Sequence, residues 1–118
     1  RKDVFSRYQV GVPRTLDELE AAARFLHKKA MSPQGASGVG LVSRGQGAAA
    51  TALYASLLHS FGGTWLDGRG RPALDGPQSL EALQWMSRVF GQSAPPDISR
   101  FGWQEASALF LDGRAALG

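Results

Sequence analysis

The sequence predicts an α/β fold: a helix-rich partial lobe with about four main helices and one or two short parallel strands. Three observations predict it. Four stretches carry apolar residues at spacings of three and four, the signature of helices with one buried stripe. The run GVGLVS (38–43) is apolar on both faces, as a strand covered on both sides of a parallel sheet must be. A second strand of the same kind begins only at 114–117, and two parallel strands do not make a closed domain. With 118 residues the chain allows one domain, 1–118. Its 43% hydrophobic and 19% charged residues exclude wholesale disorder. No apolar run approaches the roughly 18 residues of a membrane span.

Residues 1–14 read as short and irregular, with Val4, Phe5 and Tyr8 at helical spacing before Gly11 and Pro13 interrupt. Thr15-Leu-Asp-Glu18 has the spacing of a capping box, in which hydroxyl and carboxylate satisfy two backbone donors reciprocally. It opens a helix over 15–29, with Leu16, Leu19, Ala23 and Leu26 on one stripe and Lys28 and Lys29 at its negative end. SPQGAS (32–37) is turn chemistry, and the strand 38–43 follows. RGQG (44–47) is a polar, glycine-rich loop feeding a helix over 48–61 through Ala50, Leu53, Leu57, Leu58 and Phe61, ended by Gly62-Gly63. In 64–76 the pairs Asp67-Gly68 and Arg69-Gly70 predict a hairpin or extended excursion. Pro77 suits the first position of a helix over 78–90, whose expected buried face is Leu80, Leu83, Met86, Val89 and Phe90. A Pro-Pro loop spans 91–102. The last helix, 103–111, places Trp103, Ala106, Leu109 and Phe110 on one side and stops at Asp112-Gly113.

The net charge of +3 arises from 13 Lys and Arg against 10 Asp and Glu, and those cations are dispersed. Nucleic-acid binding calls for clustering on one face, so no nucleic-acid partner is expected. Without cysteine there is no disulfide frame, thiolate metal site or thiol nucleophile. The chain opens at Arg1 without Met or an apolar leader, so it is expected to be a piece of a longer protein. Enzyme motifs are missing. His27 and His59 lie far apart in helical patterns, and the glycines at 38, 40, 45 and 47 lack the dinucleotide spacing. Asp17, Glu18 and Glu20 sit near a helix start, where the dipole accounts for them. The expectation is a non-enzyme with no metal and no cofactor.

The 44–47 loop carries the chemistry that remains. Ligands on open α/β sheets bind beyond the carboxyl ends of strands, which is where this loop lies. Arg44 offers a planar fork of donors and Gln46 both donates and accepts. Gly45 and Gly47 admit close approach of the backbone. A solvated turn is the alternative. Trp65 either presents an apolar face to a sugar ring or pins the excursion to the core. Trp85 and Trp103 lie on helix stripes and are expected inside.

Several segments together resemble a known family. VPRTLDELEAAARFL is similar to the V-P-x-T-W-D-E-L helix of the extracellular solute-binding proteins of ABC importers, family 1. GVGLVSRGQG resembles that family's strand and loop. LHSFGGTWLDGRGRPALDGPQSLEALQWM resembles its Gly-Gly-x-Trp segment with a short hairpin, and WQEASALFLDGRAAL its F-x-x-G-x-A-A-M strand start. Leu16 stands where Trp is usual and Leu117 where Met is usual. The resemblance implies a periplasmic-binding-protein-like fold of two lobes, with this chain a fragment of the second lobe. It implies a component that binds a sugar or polyol between the lobes and delivers it to the permease without chemical change. The implied location is periplasmic or extracellular, membrane-associated through the permease subunits. Only Arg44, Gly45, Gln46 and Gly47 carry over as ligand candidates, with Trp65 a distant addition. The early helix positions where some members carry acidic or aromatic residues here read Ala48-Ala49-Ala50-Thr51. The competing reading is a non-catalytic helical interaction module. As a fragment with uncovered apolar surface, the chain can pair strand 38–43 with 114–117, dock against a second copy or exchange elements with it, and a homodimer or higher assembly is expected.

Overall fold

Five helices and two parallel strands follow one another in a computed structural model that describes residues 1–30 and 38–118. The turn expected at 32–37 lies outside the described residues. Helix α1 (Lys2–Arg7) forms in the stretch read as short and irregular, where Val4, Phe5 and Tyr8 stand at helical spacing. Its Phe5 is buried against Leu26 and Ala116, a tertiary contact that local propensity does not reveal.

Helix α2 (Leu16–Ala30) starts as expected, with a variation at its cap. The Glu18 N–H donates to Thr15 Oγ1 at 3.2 Å, but the Glu18 carboxylate accepts from Arg14 N–H at 2.7 Å, one residue before the cap. Strand β1 (Val39–Leu41) is shorter than 38–43 and pairs in parallel with β2 (Ala115–Leu117), Val39 opposite Ala115 and Leu41 opposite Leu117. Val42 N–H still donates to the Leu117 carbonyl at 2.9 Å, so the extended chain continues past the strand. Helix α3 (Gly47–Ser60) and helix α5 (Trp103–Leu111) fall within a residue of expectation. The excursion at 64–76 is a small hairpin with an antiparallel bridge between Leu66 and Pro72. Asp67 builds its turn by accepting from the Arg69 and Arg71 N–H groups and from the Arg71 guanidinium.

Helix α4 (Pro77–Ser93) departs most from the sequence reading. It runs through Gly91 to Ser93, and Ile98–Arg100 adds a 3₁₀ turn, so 91–102 is not one loop. Its buried face is Ser79, Ala82, Trp85 and Val89, whereas Leu80 and Leu83 are exposed. Ser79 and Ala82 take inner positions, with the Tyr54 hydroxyl of α3 hydrogen-bonded to that of Ser79 at 2.7 Å, while Trp85 and Val89 fill the rest of that face.

The apolar character of β1 and β2 on both faces is accounted for by three clusters. Leu41 joins Ala23, Leu57, Ala82, Trp85 and Val89 beneath α2, α3 and α4. Val42 and Ala115 join Ala94 and Ile98 beside α5. Ala116 turns to Phe5 and Leu26. Among the described residues no α5 side chain is fully buried, and Trp103, Leu111, Leu80 and Leu83 are exposed apolar surface.

Glu20 is not a helix-dipole residue. It is buried, and its carboxylate accepts two bonds from Arg88, Nε to Oε1 at 2.9 Å and Nη2 to Oε2 at 3.0 Å, tying α2 to α4. That pairing holds the Glu20 carboxyl below its ordinary value, against the opposing cost of burial. A depressed carboxylate stabilises the fold fully above the ordinary carboxylate range and loses that contribution as pH falls through its folded value. Glu20→Gln should therefore lower the urea midpoint at pH 7, with the gap to the parent closing on acidification. A gap that persists unchanged at low pH would contradict the pairing.

Candidate functional site

Because β1 and β2 run in parallel, their carboxyl ends point the same way, and the chain leaving β1 passes directly into 42–47. The start of α5 lies beside it. The N–H groups of Gly45 and Gln46 both donate to the Phe101 carbonyl, at 3.0 and 3.1 Å. Glu105 accepts from the Gly102 N–H at 2.9 Å and caps α5 one residue before Trp103. The loop and the helix start thus form one hydrogen-bonded unit.

Gly45 lets that unit close. A Cβ there would overlap the Ile98 carbonyl oxygen and lie 2.8 Å from its carbonyl carbon. Arg44, half-buried, places its guanidinium carbon 3.6 Å from the Trp103 ring centroid, in cation–π contact. Among the described residues no carboxylate pairs with Arg44. Trp103 is 67% exposed, contrary to the interior position expected of it. Its helix turns Ala106, Leu109 and Phe110 towards the second cluster, and the first turn projects past that cluster's edge.

Two clefts share Trp103. One, of about 260 Å³, is lined by Ser43, Arg44, Ser107 and Phe110 among others. The other, of about 610 Å³, holds Gln46, Gly47, Gly102 and Glu105. Arg44 and Gln46, expected to converge, stand on different clefts with the indole common to both. Gln46 is the N-cap residue of α3, makes no side-chain capping bond and is exposed. Gly47 has a φ of 48° at the first helical position. Trp65 lines neither cleft: it is half-buried and packs edge-on against Tyr54, ring centroids 5.6 Å apart. That geometry pins the hairpin to α3. A larger cavity of about 880 Å³ lies at the amino end of β1, bordered by His27, Gly38, Phe90 and Asp97. His27 itself accepts the Gly40 N–H on Nδ1 at 3.3 Å, a structural bond between α2 and β1.

The residue that sequence reasoning missed is Trp103. The available signal was its place as the first residue of the expected helix 103–111. Residues at a helix start beyond a strand's carboxyl end face the ligand side of an α/β lobe.

Comparison with known proteins gives consistent results. The family described as bacterial extracellular solute-binding protein matches residues 1–118. A curated mannitol-binding protein of Pseudomonas aeruginosa is 29% identical over 119 residues, covering 99% of this chain and 27% of the relative. An ABC transporter solute-binding protein of Agrobacterium radiobacter K84, solved with ribitol, is 31% identical with a TM-score of 0.84, covering 99% of this chain and 29% of that one. Its counterpart from Agrobacterium vitis S4, solved with D-mannitol, is 28% identical with a TM-score of 0.87, covering 98% of this chain and 27% of that one. The chain spans little more than a quarter of the length of these relatives.

Proposed function

We infer, since the chain belongs to the bacterial extracellular solute-binding protein family, that residues 1–118 supply one side of a carbohydrate- or polyol-binding cleft in an ABC importer. The observation that carries the reading is the Arg44–Trp103 stack at the carboxyl end of the parallel strands. Among the described residues that guanidinium has no carboxylate partner, which leaves its N–H groups to donate to the hydroxyl oxygens of a sugar or polyol. The 260 Å³ cleft falls just below the roughly 300–1,000 Å³ of complete small-molecule sites, as expected of a half-site closed by an opposing lobe.

The surface supports the partial-lobe assignment. Among the described residues Leu80, Leu83, Trp103 and Leu111 expose large apolar side chains, as a face made to meet further chain does. The relatives named above bind mannitol and ribitol, which makes these polyols the first ligands to try. The reading is of binding without chemistry, in the periplasm or outside the cell, followed by delivery to a permease. Calorimetric titration of the protein as its gene encodes it should detect D-mannitol, ribitol or a related sugar. Arg44→Ala should weaken that binding about tenfold, the loss of a charged hydrogen bond of about 1.4 kcal/mol. Unchanged affinity in that variant would leave the 44–47 loop a turn and nothing more.

A further inference from the structure

We propose that Trp103 is a positioning residue for Arg44: its indole holds the guanidinium flat, so that the fork's in-plane donors meet a vicinal diol. The proposal rests on the binding reading above and names the part of the ligand that this residue pair takes.

A free arginine carries much rotamer freedom, and a ligand that must freeze it loses affinity in doing so. Here the side chain is already held, with Arg44 Cζ at 3.6 Å from the Trp103 centroid. The indole in turn leaves a fixed origin. Gly102 N–H is capped by Glu105, and the Phe101 carbonyl binds both Gly45 and Gln46, so helix start and loop cannot drift apart independently. Glu105 is occupied by that cap, and among the described residues no other carboxylate reaches the guanidinium.

Stacked flat on the ring, as a Cζ-to-centroid distance of 3.6 Å allows, the guanidinium turns its N–H groups sideways along its plane. Two parallel donors in a plane match two acceptor oxygens on adjacent carbons, as a polyol or sugar provides and an isolated alcohol does not. Ser43 and Ser107 line the same cleft and offer hydroxyls that both donate and accept. A lysine could not take this role, because its ammonium has no plane to stack and no fork to orient.

The test is a double-mutant cycle by calorimetry with D-mannitol and ribitol as probes, on the protein as its gene encodes it. Trp103→Ala should weaken binding about tenfold while Trp103→Phe, which keeps an aromatic face, recovers most of the affinity. Trp103→Ala combined with Arg44→Ala should be no worse than Arg44→Ala alone, because both remove one coupled unit. The Arg44 side-chain protons should show a ring-current shift that survives in Trp103→Phe and vanishes in Trp103→Ala, with thermal midpoints unchanged since the indole is exposed. Additive losses, Trp103→Phe as weak as Trp103→Ala, or Trp103→Ala binding like the parent would each overturn the positioning role alone. A parent protein that binds no polyol or sugar would overturn the binding reading, and this proposal with it.

Discussion

Gly40→Val is expected to abolish the native fold. Gly40 is the buried middle residue of β1, and α2 crosses it with no room for a side chain. A Cβ there would overlap the Ala23 carbonyl oxygen, stand 2.8 Å from the Ala23 carbonyl carbon and 3.0 Å from His27 Cβ. Two of those atoms are helix backbone, which cannot rotate aside as a side chain can. Relief requires moving α2 away from the sheet, which opens the contacts of Ala23 and Leu41 in the largest cluster and breaks the Gly40 N–H bond to His27. Ordinary overpacking costs about 1–3 kcal/mol. Displacing a helix costs more, and a domain has only about 5–15 kcal/mol to lose. Gly91→Ala provides the contrast: that glycine lies within α4 with nothing within 4 Å of a Cβ, so the change should stabilise by about 0.5–1 kcal/mol. Urea unfolding followed by circular dichroism reads both. A Gly40→Val protein with a parental midpoint would refute the close approach.

The helices were legible because their apolar spacing is local information. Leu16, Leu19, Ala23 and Leu26 define α2 by themselves, and the two-faced GVGLVS run identifies β1 whatever packs on it. What remained hidden depended on distant partners. Glu20 looked like a dipole residue because the Arg88 that buries it lies 68 positions away. On α4, two neighbouring stripes compete, and size favoured Leu80 and Leu83. The inner face instead carries Ser79, which bonds Tyr54 of α3, with Ala82, Trp85 and Val89. Trp103 shares its spacing with Ala106 and Phe110, and periodicity alone predicted the interior. The second cluster ends before it, leaving the ring to Arg44. The loop 44–47 was visible as a candidate site, while its division between two clefts was not, because that follows from where α5 begins.

Gly45→Val should cost the site more than removal of either side chain in it, with the fold left standing. Gly45 lines neither cleft around Trp103. Its role is to let the loop lie against the 3₁₀ turn at Ile98–Arg100. A Cβ would overlap the Ile98 carbonyl oxygen and approach Ser99 Cα to 3.1 Å, so the loop must retreat by about an ångström or break its bonds to Phe101. Either movement lifts the Arg44 guanidinium off Trp103 and shifts Gln46 at the start of α3. Geometry displaced by about an ångström typically costs about a hundredfold where several groups must act together, whereas Arg44→Ala removes one donor and leaves the rest in register. Retained helicity with polyol affinity about a hundredfold weaker is the expected pair of results, measured by circular dichroism and calorimetry. Affinity within threefold of the parent would mean that the loop binds its ligand without leaning on Ile98, and that the Phe101 carbonyl does not fix the position of Arg44.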